Sequence, residues 1–451
     1  MFKKALWPTV GAAALAWASP PEARAISDVC SQIASTVSNA TIVSYPSSVR
    51  YAEDNAHWAS SSSQDSACSV RPVTAEDVST IVKGGGHTTN VGFSSTTGVQ
   101  IAMSALNAVV LHANESTVDI GAGCLWDDVY EALDGTGVNV VGGRVSGVGM
   151  AGFTLGGGYS WKTNQYGFSL DNVVAFELVL PNGVITTVTE DDTDLFFGLR
   201  GGFIAHSEAN MDAVSAAVAE FSAKVKDPKA SILPTYGASA GTPSVFTLIF
   251  YDGPTPPNGT FDNLLAIPAL FSSVQTQSFH SLITSFPTTN PTAGPRGAFT
   301  SVQVMELTPG VIGFIQNLTS TTAGPLLLDH GVSYFSYDVE PFDVGLYTHG
   351  SPSAWPPDRS RGLLPINLYF TWSDESKDEE IIGIMTQLAE NITSFADAEG
   401  QCVGNAALYG NYALGDTPVE DIYGANVAKL RAIKKLVDPY RIMDLAGGFK
   451  F

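Results

Sequence analysis

The sequence predicts an α+β protein with two or three domains, and three observations support this fold class. First, 451 residues exceed what one ordinary hydrophobic core accommodates. Second, the first half combines short apolar strands with glycine-dense turns and short helices. Third, the pattern changes near residue 225, and from there to about residue 400 apolar strands alternate with helices between Pro-rich connectors. The second region therefore predicts an α+β domain with an antiparallel sheet.

Helix caps and turn residues place the elements of the first half. Thr74 precedes "AEDVSTIV" and has Asp77 three residues on, a combination that starts helices. Strands are predicted for "GVQIAMSAL" and "NAVVLHANESTVDIGAG", and a helix for residues 126–133, "WDDVYEAL". The strands "NVVAFELVLP" and "VITTV" flank Pro181-Asn182-Gly183, which predicts a hairpin.

The second half contains strand and helix patterns in alternation. The strands are "SVFTLIFY", "TSVQVMEL", "SYFSYDV" and "INLYFTW", and two of the helices are "NLLAIPALFSSV" and "EEIIGIMTQLAENITSFADA". A further helix, from Val419 to Val437, is amphipathic and stops at Pro439. After "LRGGF", which ends at Phe203, the sequence "IAHSEANMDAVSAAVAEF" predicts a helix with no strand before it.

The N-terminus has the three parts of a signal peptide: Lys3 and Lys4, the apolar run "ALWPTVGAAALAWA", and the ending Ala23-x-Ala25. We expect cleavage after residue 25, and no later segment reaches the length of a membrane span. Five N-x-S/T sequons are compatible with glycosylation: Asn39, Asn114, Asn258, Asn317 and Asn391. The sequence thus predicts a secreted, extracellular glycoprotein.

The chain has four cysteines, which could form disulfides in the oxidising extracellular environment. Cys30 and Cys68 lie near the mature N-terminus, and we expect them to form a disulfide. Cys124 and Cys402 lie in different regions of the chain, and we expect both to be unpaired.

The net charge of the chain restricts the kinds of molecule that it can bind. The chain has 22 basic and 44 acidic residues, a formal charge of -22, which disfavours phosphate backbones and anionic membranes. We therefore expect a small-molecule substrate, with no nucleic-acid or membrane partner, and the oligomeric state stays open. The histidines and cysteines have no metal-ligand spacing, so no metal site is predicted.

Two glycine-rich segments, residues 84–86 and 142–158, are the strongest sign of a ligand. Without Cβ atoms their backbone amides can approach a bulky or anionic group, and His87 directly follows the first segment. Neither segment has the strand–loop–helix order of G-x-G-x-x-G with a later acidic residue, and G-x-x-x-x-G-K-[ST] does not occur. The two loops either hold a pyrophosphate between them or are surface turns.

Four ordered stretches are "VKGGGHTTNVGFSSTTGVQIAM", "GAGCLWDDVYEAL", "GVGMAGFTLGGGYSWKTNQYGFSLDNVVAFELVLPNG" and "DLFFGLRGG", and "YGNY" follows near the C-terminus. Together they resemble the FAD-binding PCMH-type domain of the vanillyl-alcohol oxidase and berberine-bridge-enzyme superfamily, over Cys30 to about Pro439. The resemblance implies a FAD-binding domain of two α/β subdomains over residues 26–225 and a substrate domain over 226–400. Residues 401–451 would form a berberine-bridge-like segment that returns to the FAD domain.

In this family the histidine after the first glycines is joined through its ring to the 8α carbon of the flavin, which implies a covalent link through His87. Many members carry a second link through a cysteine, but Val145 occupies that position, so a single link is implied. The resemblance implies these cofactor-binding residues: Lys83, Gly84, Gly85, Gly86, His87, Thr88, Thr89, Asn90, Gly147, Val148, Gly149, Gly152, Gly156, Gly157, Gly158 and Asn172. Asn172, with Asp171, either fixes the turn beneath the flavin or forms a simple Asx turn.

The superfamily's common reaction removes two electrons from a substrate C–H bond, with hydride passing to flavin N5 while a base takes the hydroxyl proton. Oxygen then reoxidises the flavin and gives hydrogen peroxide. Tyr409, Asn411 and Tyr412 of "YGNY" are the implied catalytic candidates, although both tyrosines would equally suit packing of the flavin edge. A phenol with a pKa of about 10 needs a nearby carboxylate or arginine to act as a base. The expected substrate is an alcohol, a carbohydrate or a secondary metabolite.

Two departures from the family pattern indicate missing segments, near residues 82–83 and 203–210. The helix "AEDVSTIV" runs straight into Lys83 with no strand between, and "LRGGF" lacks the glycine-containing strand that normally follows it. Such losses would expose sheet edges and apolar helix faces. The alternative function is therefore a non-catalytic or weakly flavinylated secreted glycoprotein of the same fold.

Overall fold

The computed structural model describes residues 23–451 except 58, 82–89, 91, 113–116, 181–182, 190–199, 240–241, 254, 286–295, 442–443 and 445–446. Most of the predicted signal peptide therefore lies outside the described residues, as do Lys83, the first glycine loop, His87, Thr88 and Thr89. None of the helices in the described part combines the length and apolarity that a membrane crossing requires.

The first part of the chain, up to residue 189, forms small sheets joined by short helices. In chain order its elements are α1 (Ala23–Thr36), β1 (Ile42–Ser44), α2 (Val49–Asp54), β2 (Cys68–Arg71), α3 (Ala75–Ile81), β3 (Val99–Ile101), β4 (Val109–His112), β5 (Thr117–Ile120), α4 (Trp126–Leu133), α5 (Met150–Leu155), α6 (Thr163–Tyr166), β6 (Ala175–Val179) and β7 (Ile185–Thr189). β1, β2 and β3 form one sheet, in which β2 and β3 are parallel, whereas β4–β5 and β6–β7 are antiparallel pairs. The predicted helix over Trp126–Leu133 and the predicted β6–β7 pairing are confirmed.

The rest of the chain is built on one eight-stranded sheet. Its elements are β8 (Arg200–Ser207), α7 (Met211–Lys224), β9 (Ala230–Ser239), β10 (Thr242–Tyr251), α8 (Asp262–Leu265), β11 (Phe271–Ser272), β12 (Gln275–Thr276), α9 (Phe279–Thr284), β13 (Arg296–Val304), α10 (Pro309–Gly324), β14 (Val332–Val339), β15 (Leu364–Trp372), α11 (Asp378–Ala398), α12 (Val419–Tyr423) and α13 (Val427–Val437). The strand order is β11-β8-β10-β9-β14-β15-β13, with β12 also on β8. Every pair in this sheet is antiparallel, which confirms the predicted α+β class.

The two faces of this sheet have different surroundings. Phe335 and Tyr337 of β14 are fully buried in the large core that the sheet shares with α7, α10 and α11. Asp338 and Glu340 alternate with them along the chain and therefore lie on the opposite face. That face is turned toward the first part of the chain, because Arg144 contacts Glu340 there.

Among the described residues, three ion pairs join the two parts of the molecule. They are Arg144–Glu340 at 2.9 Å, Lys162–Asp252 at 2.7 Å and Arg359–Asp171 at 2.6 Å. The first two are buried on both sides, so losing either partner would leave an uncompensated charge inside the protein. These contacts fix the second glycine segment and the residues that follow it against the sheet.

The prediction of a helix directly after Phe203 is wrong. Arg200–Ser207 forms strand β8, and α7 begins only at Met211. β8 pairs with β10 along its whole length, so it belongs to the eight-stranded sheet. That sheet therefore begins at Arg200, ahead of the predicted start of the substrate domain at residue 226.

Two predicted helices are shorter in the structure than in the sequence analysis. The helix expected from Val419 to Val437 is interrupted at Gly424, whose φ of 48° lies in the left-handed region, and this residue separates α12 from α13. The helix expected over "NLLAIPALFSSV" is limited to α8, because Pro268 stops it before β11.

The predicted disulfide is confirmed. Cys30 in α1 is bonded to Cys68 in β2, with 6.3 Å between their Cα atoms. Cys124 is a buried free thiol and Cys402 an exposed one, as expected. The bond anchors the N-terminal helix to the first sheet.

Removing this disulfide should destabilise the protein measurably. The double variant Cys30→Ser/Cys68→Ser frees a loop of 38 residues in the unfolded chain, which typically costs about 2–4 kcal/mol of unfolding free energy. Urea denaturation of the oxidised protein checks the value. Cys402→Ser is the control and should leave the midpoint unchanged, whereas an equal loss in both proteins would contradict the assignment.

His206 in β8 should make stability depend on pH. Its ring is fully buried, and this burial lowers its pKa. The unfolded chain therefore takes up a proton before the folded protein does, so stability is present above the ordinary histidine pKa and is lost as pH falls toward the folded value. We expect His206→Gln to flatten this acid-side loss, by at most about 1.4 kcal/mol per pH unit. Thermal melts between neutral and mildly acidic pH test it, and an unchanged slope in His206→Gln would contradict it.

Candidate active site

The second glycine segment lies between α4 and the eight-stranded sheet. Gly142 and Gly143 pack directly on the Trp126 ring, where a Cβ atom would collide with the indole. The Tyr130 hydroxyl donates to the Gly143 carbonyl at 2.9 Å. These contacts explain why two glycines precede Arg144, since only a bare backbone can pass this close to the aromatic rings of α4.

Further along this segment, two glycines have space in front of them. Gly147 has a φ of 81°, and neither it nor Gly152 has any described atom within 4 Å of the position that a Cβ would take. The Gly147 amide donates to Asp127 at 2.8 Å, and Val148 accepts from the Trp126 amide. Gly149 forms an isolated bridge with Leu125. The predicted residues Gly147, Val148, Gly149 and Gly152 thus form one rigid turn and the start of α5.

The glycine run at the end of α5 has a different environment. Gly156 lies against the Asn411 side chain, Gly157 against Trp355, and Gly158 against Phe153. The Gly156 and Gly157 amides donate to carbonyls of α5. In the structure these three predicted cofactor-binding glycines allow close packing of α5 and the turn after it against Asn411 and Trp355.

Asn90 and Asn172 hold backbone turns. Asn90 Nδ2 donates to the Ala413 carbonyl at 3.1 Å, which brings the end of the first glycine loop to the "YGNY" segment. Asn172 Nδ2 donates to the carbonyls of Tyr166 and Phe168, at 2.9 and 2.8 Å. Its neighbour Asp171 binds Arg359.

The "YGNY" residues occupy the junction between α5 and the sheet. Tyr409 is buried and contacts Trp355 and Tyr412, with ring centroids 4.8 Å apart in both pairs. Asn411 Nδ2 donates to the Tyr409 hydroxyl at 2.8 Å and to the Phe153 carbonyl at 3.2 Å. The three predicted catalytic residues are therefore together in the fold, but the two tyrosines have different polar partners.

Tyr412 belongs to a charged triad with Arg144 and Glu340. The Tyr412 hydroxyl donates to Glu340 Oε1 at 2.8 Å, and Arg144 Nη2 donates to the same oxygen and to the Tyr412 oxygen, both at 2.9 Å. Glu340 is 1% exposed and Arg144 is 8% exposed. The guanidinium also lies over the Phe342 and Trp161 rings, 5.3 and 5.8 Å from their centroids.

Burial controls the protonation of this cluster. Desolvation raises the pKa of Tyr412 well above 10, and the nearby Glu340 charge raises it further, against the opposing effect of Arg144. Desolvation also raises the pKa of Tyr409, to about 12, although the Asn411 hydrogen bond and Arg144 oppose it. The Glu340 carboxylate holds the pKa of Arg144 above its usual range despite burial. Both phenols are therefore neutral at physiological pH, and Arg144 is charged.

Sequence reasoning missed Arg144 and Glu340. Both had a visible signal, since Arg144 is a lone basic residue within "VVGGRVSGVG" and Glu340 is a carboxylate at the end of the strand "SYFSYDVEP". A separation of 196 residues hid their pairing. A carboxylate and an arginine, the neighbours that a tyrosine base was expected to need, therefore lie beside Tyr412.

The space in front of the second glycine segment fits part of a dinucleotide. The turn at Gly147 and Gly152 leaves open space beside a backbone without side chains. Trp126 Nε1 is buried beneath Gly143 and has no hydrogen-bond partner among the described residues, so a donor is available for an acceptor group. The second glycine segment can therefore hold part of FAD.

Comparison with known proteins agrees with this geometry. Residues 59–189 match the family described as the FAD binding domain. An FAD-dependent monooxygenase of Aspergillus calidoustus is 26% identical over 94% of this chain and 90% of its own length. Alignments with three further FAD-linked relatives span 51%, 31% and 28% of those proteins.

Solved structures share the fold of the whole chain. 6-Hydroxy-D-nicotine oxidase from Arthrobacter nicotinovorans superposes with a TM-score of 0.71 at 17% identity, over 92% of this chain and 98% of that one. A carbohydrate oxidase from Microdochium nivale gives 0.69 at 13% identity, over 94% and 99%. Residues 59–189 are therefore similar to an FAD binding domain, and the chain as a whole has the fold of flavin-dependent oxidases. More particularly, the chain has the PCMH-type fold of the vanillyl-alcohol oxidase and berberine-bridge-enzyme-like oxidases, which confirms the resemblance seen in its motifs.

Proposed function

We propose that the chain is a secreted oxidase that removes two electrons from a hydroxyl-bearing carbon of an alcohol, carbohydrate or secondary metabolite. It would use FAD held by a single covalent bond to His87 and pass the electrons to oxygen, giving hydrogen peroxide. The observation that carries this proposal is the buried Arg144–Glu340–Tyr412 triad between the second glycine segment and the sheet. Such a triad supplies the proton acceptor that alcohol oxidation needs.

The triad suggests a proton relay. FAD, when bound, supplies the two-electron acceptor for the hydride of the substrate C–H bond. The Tyr412 oxygen takes the substrate hydroxyl proton while the phenol's own proton moves to Glu340 Oε1, 2.8 Å away. Because the pKa of Tyr412 is raised, the phenol cannot work by standing ionised, and the transfer must be concerted with protonation of Glu340. Arg144 compensates the buried carboxylate before the transfer.

Tyr409 is less suited to this role. Its hydroxyl accepts from Asn411 and has no carboxylate partner in the described part of the chain. Its ring packs between Trp355, Tyr159 and Tyr412. We assign Tyr409 and Asn411 to shaping the site and Tyr412 to proton transfer.

The proposal of FAD chemistry on a small molecule is supported by what similar proteins do. The Aspergillus relative is an FAD-dependent monooxygenase, and the solved neighbours oxidise 6-hydroxy-D-nicotine and carbohydrates according to their names. Export is supported by the Cys30–Cys68 disulfide and by the exposure of four sequon residues, which are Asn39, Asn258, Asn317 and Asn391. The signal peptide itself stays a prediction.

A second candidate is a protein of the same fold that holds flavin weakly or has lost catalysis. The alignment with the Aspergillus relative is 483 positions long, whereas 94% of 451 residues is about 424, so about 59 positions have no counterpart here. Apolar side chains are also exposed beside the second glycine segment and in the C-terminal helix, among them Leu155 at 64% and Leu436 at 80%. Both observations fit a chain that lacks segments found in its relatives. Residues 203–210, where one gap was predicted, form the end of β8 and the turn before α7.

One experiment separates these functions. The secreted protein, purified with its glycans, is tested for flavin content and then with sugars, primary alcohols and aromatic carbinols under air, with hydrogen peroxide as the readout. Peroxide equal to the substrate consumed supports the oxidase. Turnover only with an artificial dye acceptor would indicate a dehydrogenase, and absence of flavin would favour the second candidate.

A further inference from the structure

A cleft of about 330 Å³ lies between the C-terminal half of α7 and residues 257–264, which comprise a turn and the start of α8. This volume is at the lower end of small-molecule sites, which commonly enclose about 300–1,000 Å³. The lining residues all lie within 217–227 and 257–264, away from the second glycine segment and from "YGNY". The cleft therefore has room for a ligand that the proposed oxidation does not use.

The cleft has an apolar floor and a polar rim. The buried Phe221 and Phe261 rings stack in the floor, with their centroids 5.9 Å apart. At the rim, the Glu220 carboxylate accepts hydrogen bonds from Lys224 Nζ and Asn263 Nδ2, both at 2.7 Å. Because Lys224 compensates the charge of Glu220, the rim suits an uncharged ligand with several hydrogen-bonding groups. A sugar fits both surfaces, since its C–H groups pack on aromatic rings while its hydroxyl and acetamide groups bind polar side chains.

Asn258, the first residue of a sequon, lies at the edge of this cleft in a tight turn. The Thr260 amide donates to the Pro257 carbonyl at 3.2 Å, and Gly259 has a φ of 90°, so these four residues form a type II turn. The Gly259 amide also donates to Asp262 Oδ2 at 2.8 Å, which fixes the turn to the start of α8. The turn holds the exposed Asn258 side chain at the mouth of the cleft.

Two other sequons have a different setting. Asn317 and Asn391 are exposed residues inside the long helices α10 and α11. The hydroxyls of Thr319 and Thr393, two residues further on, donate to carbonyls of their own helices at 2.9 and 3.0 Å. A glycan on either helix would extend from its surface into solvent, whereas a glycan on Asn258 would begin at the rim of a cleft.

We propose that Asn258 carries an N-linked glycan whose first sugar rings lie in this cleft, on the Phe221 and Phe261 rings. The bond forms between Asn258 Nδ2 and C1 of N-acetylglucosamine as the C1–O bond to a lipid-linked pyrophosphate donor breaks. The pyrophosphate leaves, and the amide loses one proton. This inference rests on the proposed export, because such donors act in the secretory pathway.

Covalent attachment makes weak contacts with the cleft sufficient. A ring tethered at the edge of the cleft has an effective concentration in the millimolar range, so modest packing and hydrogen bonding hold it there. The seated sugar covers apolar surface and joins the turn to α7, and both effects stabilise the folded protein. It is also shielded from enzymes that remove glycans.

Deglycosylation of the folded, full-length protein tests the position of this glycan. The protein is secreted from a eukaryotic host, and glycopeptide mass spectrometry follows each sequon during treatment with peptide-N-glycosidase. We expect Asn258 to be occupied and its glycan to be released about tenfold more slowly than the glycans on the other occupied sequons, a difference of about 1.4 kcal/mol. After denaturation the rates should be equal. Asn263→Ala, which removes an exposed amide from the rim, should speed release at Asn258 alone.

Thermal melts give a second readout. Asn258→Gln should lower the melting temperature by about 2–4 °C, whereas Asn391→Gln, the matched control on α11, should leave it unchanged. Both variants should keep the wild-type flavin content and peroxide yield, because neither residue lies near the triad.

The inference is overturned if Asn258 is bare while other sequons are occupied, or if its glycan is released as fast as the others. Equal melting temperatures for Asn258→Gln and Asn391→Gln would also contradict it. A chain retained in the cell without glycans would overturn the proposed export and this inference together. A shielded glycan on a chain that yields no peroxide would refute the oxidase alone and support the glycan site.

Discussion

Glu340→Gln should reduce the rate of substrate oxidation by about 10²- to 10⁴-fold, the usual contribution of a positioned general base. The amide keeps the size of the side chain but cannot receive the proton that leaves the Tyr412 hydroxyl, which now points at Glu340 Oε1 from 2.8 Å. The measurement is the rate of flavin bleaching by substrate under anaerobic conditions, normalised to bound flavin.

Two further variants sharpen this prediction. Tyr412→Phe should lose a similar factor, and the double variant Glu340→Gln/Tyr412→Phe should lose little more, because the two groups act as one relay. Exposed Glu306→Gln, at the end of the same sheet, should keep the wild-type rate. A loss of less than about threefold in Glu340→Gln, with flavin retained, would remove the relay from the mechanism.

Arg144→Met should lower the free energy of unfolding by about 3–5 kcal/mol, the cost of leaving a buried charge without its partner. Glu340 is 1% exposed and would lose both its counter-ion and a hydrogen-bond donor. The loss should appear in urea denaturation as a lower midpoint with an unchanged slope. Exposed Arg431→Met, which breaks only the surface pair with Glu420, should stay within about 1 kcal/mol of the wild type.

Substituting Glu340 together with Arg144 tests whether the loss of stability comes from the unpaired charge. Arg144→Met/Glu340→Leu removes both charges, so it should recover much of the stability while remaining inactive. Arg144→Lys should recover only part, because an ammonium does not reproduce the planar contacts with Phe342 and Trp161. Equal destabilisation by the single and the double variant would show that shape, and not charge pairing, makes Arg144 important.

Local signals predicted local structure well. The helix Trp126–Leu133 and the β6–β7 pairing depend on residues that are adjacent in sequence, and both occur where expected. The helix Val419–Val437 was overextended because its apolar periodicity continues through Gly424, and only the backbone reveals the left-handed conformation that breaks it. Strand β8 was missed because its glycines and the polar His206 interrupt the alternation of apolar and polar residues that marks a strand. Its extended conformation is stabilised by pairing with β10, a contact that the local sequence does not reveal.

In the candidate site, too, contiguous motifs could be predicted from the sequence and contacts between distant residues could not. The glycine segments and "YGNY" are contiguous motifs, so a resemblance could locate them. Arg144 and Glu340 are single residues 196 positions apart, and only the packing of the second glycine segment against the sheet brings them together. The roles of Gly84, Gly85, Gly86 and His87 stay predictions from the resemblance, because these residues lie outside the described part of the chain.

The central claim, a flavin held by one covalent bond to His87, is tested most directly by acid precipitation followed by an absorbance scan of the pellet. We predict a yellow pellet from the wild-type protein, a yellow pellet from the exposed-histidine control His112→Ala, and a colourless pellet from His87→Ala. A colourless wild-type pellet, or chromophore that stays with denatured His87→Ala, would contradict the account.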